Sequence, residues 1–493
     1  MVAVRPFVAL ACVLALSGQS VAQGLPDLGD VSSAVISEQQ EKTIGNKFMR
    51  EVRMDPAYVD DPEIQDYITS IGNRLLGALE VPRNDIDFFV VQDDTINAFA
   101  MVGGHIGVHS GLILLTQTES ELAAVIGHEI GHVVQKHQAR MAAGMGRSQL
   151  TSLAALAVAI LASRSGAANS GQMTEAALAT SSALMMQNML DYTREHEREA
   201  DRVGVTLLER AGFDPRGAVT VFERMLRANR LNELKGAPGY LRTHPLTTER
   251  IADMQGRVDS PSSGRVLTMA PADTFEYRLT KARLRALAGS PAEALAAMKT
   301  QLADRTVVRP REDVYGLALA QYRTRDFDGA LKTLAPIRQG ISHPAFELLA
   351  AESKSGLHKS DEALAIYRAA VKANPKYRAL VYGYLNELLD SGHANEALAD
   401  LNDRLRTPQD DARLYELQAR AFEASGRRLS QHRAQAEAAY RKGNLPAAVE
   451  QLELAVKSRG NDFYELSSAE SRLREMRRLM ENEKEAEKAL KIS

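Results

Sequence analysis

The chain has 493 residues, and its 60 Lys and Arg against 63 Asp and Glu leave a formal net charge of −3. That balance supplies no positive field to gather nucleic acid, so nucleic-acid partners are excluded as a main function. Tryptophan is absent, aromatics make up 5% and hydrophobic residues 45%, which favours packed helices over a β-rich architecture.

Residues 1–22 read as a secretory leader. Arg5 gives the basic start, Phe7 to Leu16 the apolar core and Ser20-Val21-Ala22 a small-residue cleavage site. Cys12, the single cysteine, falls inside this segment. The mature chain is then expected to lack cysteine, which removes disulfides and thiol nucleophiles from consideration.

Amphipathic helices are predicted from Ser37 to Val52 and from Pro62 to Leu79. Asp87 to Gln92, carrying Phe88, Phe89, Val90 and Val91, reads as a strand. Ile96–Ala100 and His105–His109, joined through Gly103-Gly104, read as a glycine-turned hairpin, which either pairs its backbone with an extended peptide or is purely structural. Its His105 and His109 lie on a strand ahead of the active helix and are not expected to touch metal.

A helix predicted from Thr118 to about Met141 carries His128-Glu129-Ile130-Gly131-His132. Histidines four apart on a helix share a face, so both imidazoles reach one cation. Glu129 projects to the side, where it can take a proton from water at the metal. His137 stands five residues beyond His132, displaced around the helix, and solvent is its expected environment.

Leu150 to Ala162 is a nearly apolar run that as a helix would extend about 20 Å, short of the roughly 30 Å of a bilayer core. A Ser-, Gly- and Ala-rich stretch from Ser163 to Gln172 follows, and apolar helix resumes from Met173 to Leu190. This region reads as a lid over the cleft, with peripheral membrane contact as one role for its apolar side, or as a buried helical hairpin.

A catalytic zinc needs a third protein ligand. In the helical stretch Glu195–Gly204, Glu197 and Asp201 share a face with Ala200 and Gly204, and that small face admits close approach of a second helix. Glu197 can complete the metal sphere while Asp201 holds a ligand histidine by its other nitrogen. Spacing alone leaves Glu195, His196 and Glu199 open as alternatives. His244, before Pro245, has three readings: an oxyanion stabiliser, a plug in the fourth metal position, or a loop cap.

Asp259-Ser260-Pro261-Ser262-Ser263-Gly264 reads as a linker. The expected organisation is a leader over 1–22, a protease domain over 23–258, a linker over 259–273 and a repeat domain over 274–493. In the last, a small-apolar pair recurs as Ala294-Leu295, Ala330-Leu331, Ala363-Leu364, Ala397-Leu398 and Ala448-Val449. The first three intervals, 36, 33 and 34 residues, match the tetratricopeptide length of two antiparallel helices. The fourth, 51, marks a degenerate or extended unit. About five units are expected between Thr274 and Asn482, capped by a charged helix from Ser468. Such a solenoid offers a concave face for a peptide or protein partner.

HExxH followed by Glu197-x-x-Ala200-Asp201 resembles the zinc metallopeptidase family that includes the CAAX prenyl proteases and the bacterial membrane protease HtpX. Asn97-Ala98-Phe99-Ala100, Gly103-Gly104, Gly111-Leu112 and His244-Pro245 with Arg250 add to the resemblance, which covers roughly residues 30 to 258. It implies one Zn²⁺ per chain held by His128, His132 and Glu197, with Glu129, Asp201 and His244 as catalytic residues. The implied fold is mainly α: a zincin-like metalloprotease domain with a small β-sheet, then an α-solenoid of tetratricopeptide repeats. Leader, protease and repeats together resemble a group of this family that serves outer-membrane assembly. That likeness implies a periplasmic zinc endopeptidase acting on unfolded or misassembled outer-membrane proteins, with the β-barrel assembly machinery as partner of the repeats. The alternative is a chaperone or scaffold with a largely latent protease site.

Overall fold

A computed structural model describes residues 38–81, 83, 85–140, 194–231, 239–259, 274–303, 310–339, 342–407, 410–458 and 463–492. The expected leader, the lid region from 150 to 190 and most of the expected linker lie outside the described residues. No helix among the described residues is long and apolar enough to cross a membrane.

The chain opens with α1 (Glu38–Met54) and α2 (Pro62–Leu76). Asp61 starts α2: its carboxylate accepts from the Glu63 and Ile64 amides, and Pro62 occupies the first turn, where no amide is needed. Three strands follow: β1 (Asp87–Val91), β2 (Ala98–Met101) and β3 (His105–His109), in the order β1-β3-β2. β1 runs parallel to β3, and β2 pairs antiparallel with β3 as the predicted hairpin. Gly103 and Gly104 make its turn at φ of +89° and +85°, and a Cβ on Gly104 would meet the Asp85 carbonyl oxygen at 2.4 Å.

After α3 (Ser110–Leu115) comes α4 (Glu119–Val134), the HExxH helix. Every residue from Glu119 to Gly131 is buried, so α4 is enclosed on all sides rather than amphipathic. It is shorter than the sequence predicts: it ends at Val134, and residues 137–140 form a separate helical turn. Among the described residues, four further helices belong to this half: α5 (194–210), α6 (Arg216–Leu231), α7 (Gly239–Thr243) and α8 (Thr248–Asp259). The core gathers Ile64, Ile68 and Leu75 of α2, Phe88 and Ile106 of the sheet, Val125 and Ile126 of α4, and Phe222 of α6.

The remaining helices form an α-solenoid of tetratricopeptide repeats. They are α9 (Phe275–Leu287), α10 (Pro291–Gln301), α11 (Arg311–Arg323), α12 (Phe327–Arg338), α13 (Pro344–Gly356) and α14 (Ser360–Ala373). α15 (Arg378–Asp390), α16 (Ala394–Arg404), α17 (Ala412–Ala424), α18 (Arg428–Arg441), α19 (Leu445–Lys457) and α20 (Phe463–Ile492) continue the array. Ala294, Ala330, Ala363, Ala397 and Ala448 are all buried where helices cross, as their small size predicts. The long interval is a whole repeat followed by half of one, because helices start at 394, 428 and 445. α18 packs against both α17 and α19, and it carries Gln431-His432 where its neighbours have the small-apolar pair, which hid it from the pattern. The last helix begins at Phe463, five residues before the predicted cap.

The solenoid is clasped to the catalytic half. Tyr277 and Leu284 of α9 belong to the same core as α2 and α4. The Tyr277 and Thr116 hydroxyls lie 2.8 Å apart, and Thr274 Oγ1 donates to Glu119 at 2.8 Å. Arg283, also on α9, donates through Nη2 to Asp61 at 2.7 Å and pairs with Glu63. At the far end of the array, Arg50 and Arg53 of α1 donate to the carbonyls of Gly443 and Lys442.

Candidate metal centre

Two close-packed helices and one loop build the site. Gly127 and Gly131 of α4 face Gly204 and Ala200 of α5, and a Cβ on Gly131 would sit 3.0 Å from the Ala200 Cα. This small-residue seam brings His128 and His132 against Glu197. His132 Nε2 lies 3.0 Å from His128 Nε2, and each is 3.3 Å from a Glu197 oxygen. The loop between α7 and α8 adds His244, whose Nδ1 is 2.9 Å from Glu197 Oε1 and 3.4 Å from His128 Nε2. The ligand atoms of His128, His132, Glu197 and His244 all lie within 4.8 Å of one another.

That donor set fits a tetrahedral cation. Zinc–nitrogen bonds of about 2.0–2.1 Å imply a tetrahedron with edges of about 3.3–3.4 Å, and the measured separations cluster around that length. Two imidazole nitrogens facing each other beside a buried carboxylate are what a cation satisfies and what packing alone would not select.

Charged groups brace the ligands. His128 Nδ1 lies 2.9 Å from Asp201 Oδ1. Arg250, itself 3% exposed, donates to both Asp201 oxygens at 2.8 Å and reaches Glu197 Oε2 at 2.9 Å and the Pro245 carbonyl at 2.7 Å. One guanidinium thus ties α5 to the His244 loop. Glu129 is fully buried beside the cluster, with Oε1 3.7 Å from His244 Nε2. Burial raises its pKa, partly offset by His244 and His128, as suits a group that exchanges protons near neutrality.

In the metal-free protein the cluster shares its charge unevenly. Burial acts against ionised Glu197, yet His244, His128 and His132 hold its carboxyl well below the usual range. Burial likewise opposes ionised Asp201, and Arg250 and His128 overcome it. For His128 burial works downward, but Asp201 and Glu197 push it up to about 10, whereas burial takes His132 down to about 3. The His132 value and both carboxylate shifts fix a sign. An unfolded His132 takes up a proton near its ordinary pKa of about 6.5 while the folded one does not until about 3, so stability falls as pH drops through that window. Asp201 and Glu197 add stability above the ordinary carboxylate range that is lost as pH falls through their depressed folded values. His128 contributes fully below its unfolded pKa and weakens only toward alkaline pH. Glu129, with its raised pKa, works in the opposite sense, but His132, Asp201 and Glu197 outweigh it. The melting temperature of chelated protein should therefore decrease from pH 7 to pH 3; a flat profile would contradict this assignment.

The alternatives that spacing left open are separated by the fold. Glu195 is exposed on the outer side of α5. His196 and Glu199 face the 137–140 turn, with the His196 ring stacked on that of His137 at 4.2 Å. His109 Nδ1 lies 2.8 Å from Thr95 Oγ1 and 3.2 Å from Asp93, and His105 Nδ1 lies 3.3 Å from Asp87, both away from the cluster. The expectation of solvent around His137 is wrong: it is 2% exposed, with Nδ1 2.9 Å from His132 Nδ1. The helix stops before it, and Lys136 adopts φ +51°, a left-handed conformation costing a non-glycine residue about 1–2 kcal/mol. That turn swings His137 back toward His132.

Sequence reading also missed Tyr240. Its ring stacks on His244 at 4.6 Å, its amide donates to the Ile96 carbonyl, and its carbonyl accepts from the His244 amide at 2.7 Å. Its position four residues before His244 in a short helix was the available signal. An open cleft lined by Met101, Val102, His132, Lys136 and Gln138 runs past the site. Across it the Gln138 side-chain amide donates to the Ala100 carbonyl of edge strand β2.

Residues 62–258 match the family model described as peptidase family M48. The chain is 32% identical to the beta-barrel assembly-enhancing protease of Escherichia coli K12 over 93% of its own length and 92% of that protein. The chain belongs to peptidase family M48. A putative beta-barrel assembly-enhancing protease of Vibrio cholerae is 34% identical over 65% of each chain. The mitochondrial metalloendopeptidase OMA1 of Schizosaccharomyces pombe is 30% identical over 38% of this chain and 51% of that protein. The protein is a metallopeptidase, and the family implies a metal cofactor, which the four-residue cluster could hold. The resemblance read from HExxH, Glu197 and Asp201 is thereby borne out.

Proposed function

We propose that the chain is a periplasmic zinc endopeptidase held in a closed resting state, serving the quality control and assembly of outer-membrane β-barrel proteins. The convergence of His128, His132, Glu197 and His244 beside buried Glu129 carries the reading. His and carboxylate donors in a tetrahedral arrangement favour zinc. When bound, the ion acidifies a water and polarises the scissile carbonyl.

The chain's own residues do the rest. Glu129 accepts a proton from the attacking water and returns it to the departing amine. Asp201 fixes the orientation of His128, and Arg250 fixes Asp201 and Glu197. The extended substrate lies along β2, whose Ala100 carbonyl Gln138 now occupies. Tyr240 and the peptide link to Ile96 set the pose of the His244 loop. His244 fills the fourth ligand position, which a catalytic site keeps open, so the loop between α7 and α8 withdraws before substrate enters.

The names of the full-length relatives support outer-membrane β-barrel proteins as the substrate class, and the leader reading supports the periplasm. The solenoid is proposed as the docking platform toward the β-barrel assembly machinery. The closed site also favours a second reading, in which the protein chaperones such clients and cuts only when the loop opens.

Zinc content and casein hydrolysis of wild type and His244→Ala test the proposal. Zinc stays at one per chain in both, and hydrolysis rises about tenfold in the variant as the competent fraction approaches unity. Reduced hydrolysis with zinc retained would make His244 a catalytic group instead, and unchanged hydrolysis would leave it a loop cap.

A further inference from the structure

The two histidines of the HExxH helix are braced differently. His128 rests its Nδ1 directly on Asp201. Among the described residues no carboxylate stands at the Nδ1 of His132; there it meets the Nδ1 of His137 at 2.9 Å, with ring centroids 4.9 Å apart. The opposite nitrogen of His137, Nε2, lies 3.1 Å from Glu199 Oε2, and Glu199 accepts from Arg140 Nη1 at 2.9 Å. His196 stacks on the far face of the His137 ring with only 12° between the planes. The chain builds this arrangement at some effort. On an unbroken helix His137 would stand about 140° around from His132, since successive residues turn about 100°. Instead α4 ends at Val134, Lys136 turns left-handed, and the 137–140 turn restarts with Arg140 N donating to Lys136 O at 2.9 Å.

Proton placement follows from the ring geometry. His132 points Nε2 into the cluster, 3.0 Å from His128 Nε2. A histidine that gives Nε2 to a metal carries its proton on Nδ1. That proton is donated to His137 Nδ1, which must then be bare, so the proton of His137 sits on Nε2 and is donated to Glu199. The hydrogen bonds run one way, from the ligand to the carboxylate.

We propose that His137 is the positioning residue for His132, holding its metal-binding tautomer and ring orientation through a His132–His137–Glu199 chain. The operative motif thus extends from HExxH to a third histidine five residues on. His137 touches neither substrate nor metal and acts only through His132. The inference rests on the zinc site proposed above.

The test is zinc affinity by competition with a chromophoric chelator, with the melting temperature of each metal-free protein read in parallel. The proteins are wild type, His137→Ala, His137→Asn and Glu199→Ala. Loss of an outer partner of a ligand histidine weakens metal binding about 10–100-fold, which is the expectation for His137→Ala. His137→Asn keeps an acceptor near the Nδ1 position and recovers most of that loss. Glu199, partly exposed, can be removed with little risk to folding, and Glu199→Ala weakens zinc by a smaller factor. His137→Ala binding zinc as tightly as wild type would overturn the proposal, as would an Asn variant no better than Ala. Should His137→Ala fail to fold, wild-type affinity in Glu199→Ala overturns it instead. A purely structural role would lower the metal-free melting temperature and leave affinity unmoved. Wild-type protein that takes up no zinc sinks the metal site itself, whereas tight-binding variants sink only the role of His137.

Discussion

Glu129→Gln is expected to lower peptide hydrolysis by about 10²–10⁴-fold while zinc remains at wild-type occupancy. The reason is positional. Glu129 lies fully buried beside the ligand cluster, between the two histidines in sequence but off their shared face. The amide preserves volume and leaves His128, His132 and Glu197 undisturbed, yet it cannot accept a proton from water. Burial that raises the Glu129 pKa makes the carboxylate a better base and adds to the effect of losing it. Hydrolysis and metal content measured on the same preparation check this. A variant that cuts at the wild-type rate would contradict the proton-transfer role, and full biological function without cutting would favour the chaperone reading.

Arg250→Ala should cost about 3–5 kcal/mol of stability, because it leaves buried carboxylates without their cation. Asp201 and Glu197 are 4% and 2% exposed, and Arg250 serves both while also holding the Pro245 carbonyl. Loss of the guanidinium therefore frees the His244 loop as well as exposing the charge imbalance. Arg250→Lys keeps the charge but not the fork that spans both Asp201 oxygens, so it falls between wild type and Ala. Denaturant unfolding of the metal-free proteins measures both. An Ala variant with an unchanged midpoint would show that the carboxylates are neutralised by other means.

Much of this was legible in the chain because it follows from local periodicity. HExxH reads directly onto one helical face, and Ala200 and Gly204 mark the face through which Glu197 approaches. The hairpin announces itself through Gly103-Gly104, and the alanines at 294, 330, 363 and 397 mark helix crossings at tetratricopeptide spacing. What escaped depends on breaks in periodicity or on contacts between distant segments. A continuous helix puts His137 in solvent, and nothing about Lys136 signals the left-handed turn that brings it back. Glu199 and His196 could not be separated from Glu197 by spacing, since the choice depends on which side of α5 meets α4 and which meets the 137–140 turn. α18 escaped because Gln431-His432 stands where its neighbours carry the small-apolar pair. The clasp of Arg283 on Asp61 joins residues 222 positions apart, beyond any local pattern.

X-ray absorption at the zinc edge of the purified wild-type protein tests the central claim most directly. One zinc per chain in a four-coordinate shell of nitrogen and oxygen donors at about 2.0–2.2 Å, with three imidazoles falling to two as water replaces the ring in His244→Ala, is the expected result. An absent metal, or an imidazole count unaltered by removing His244, would contradict the account.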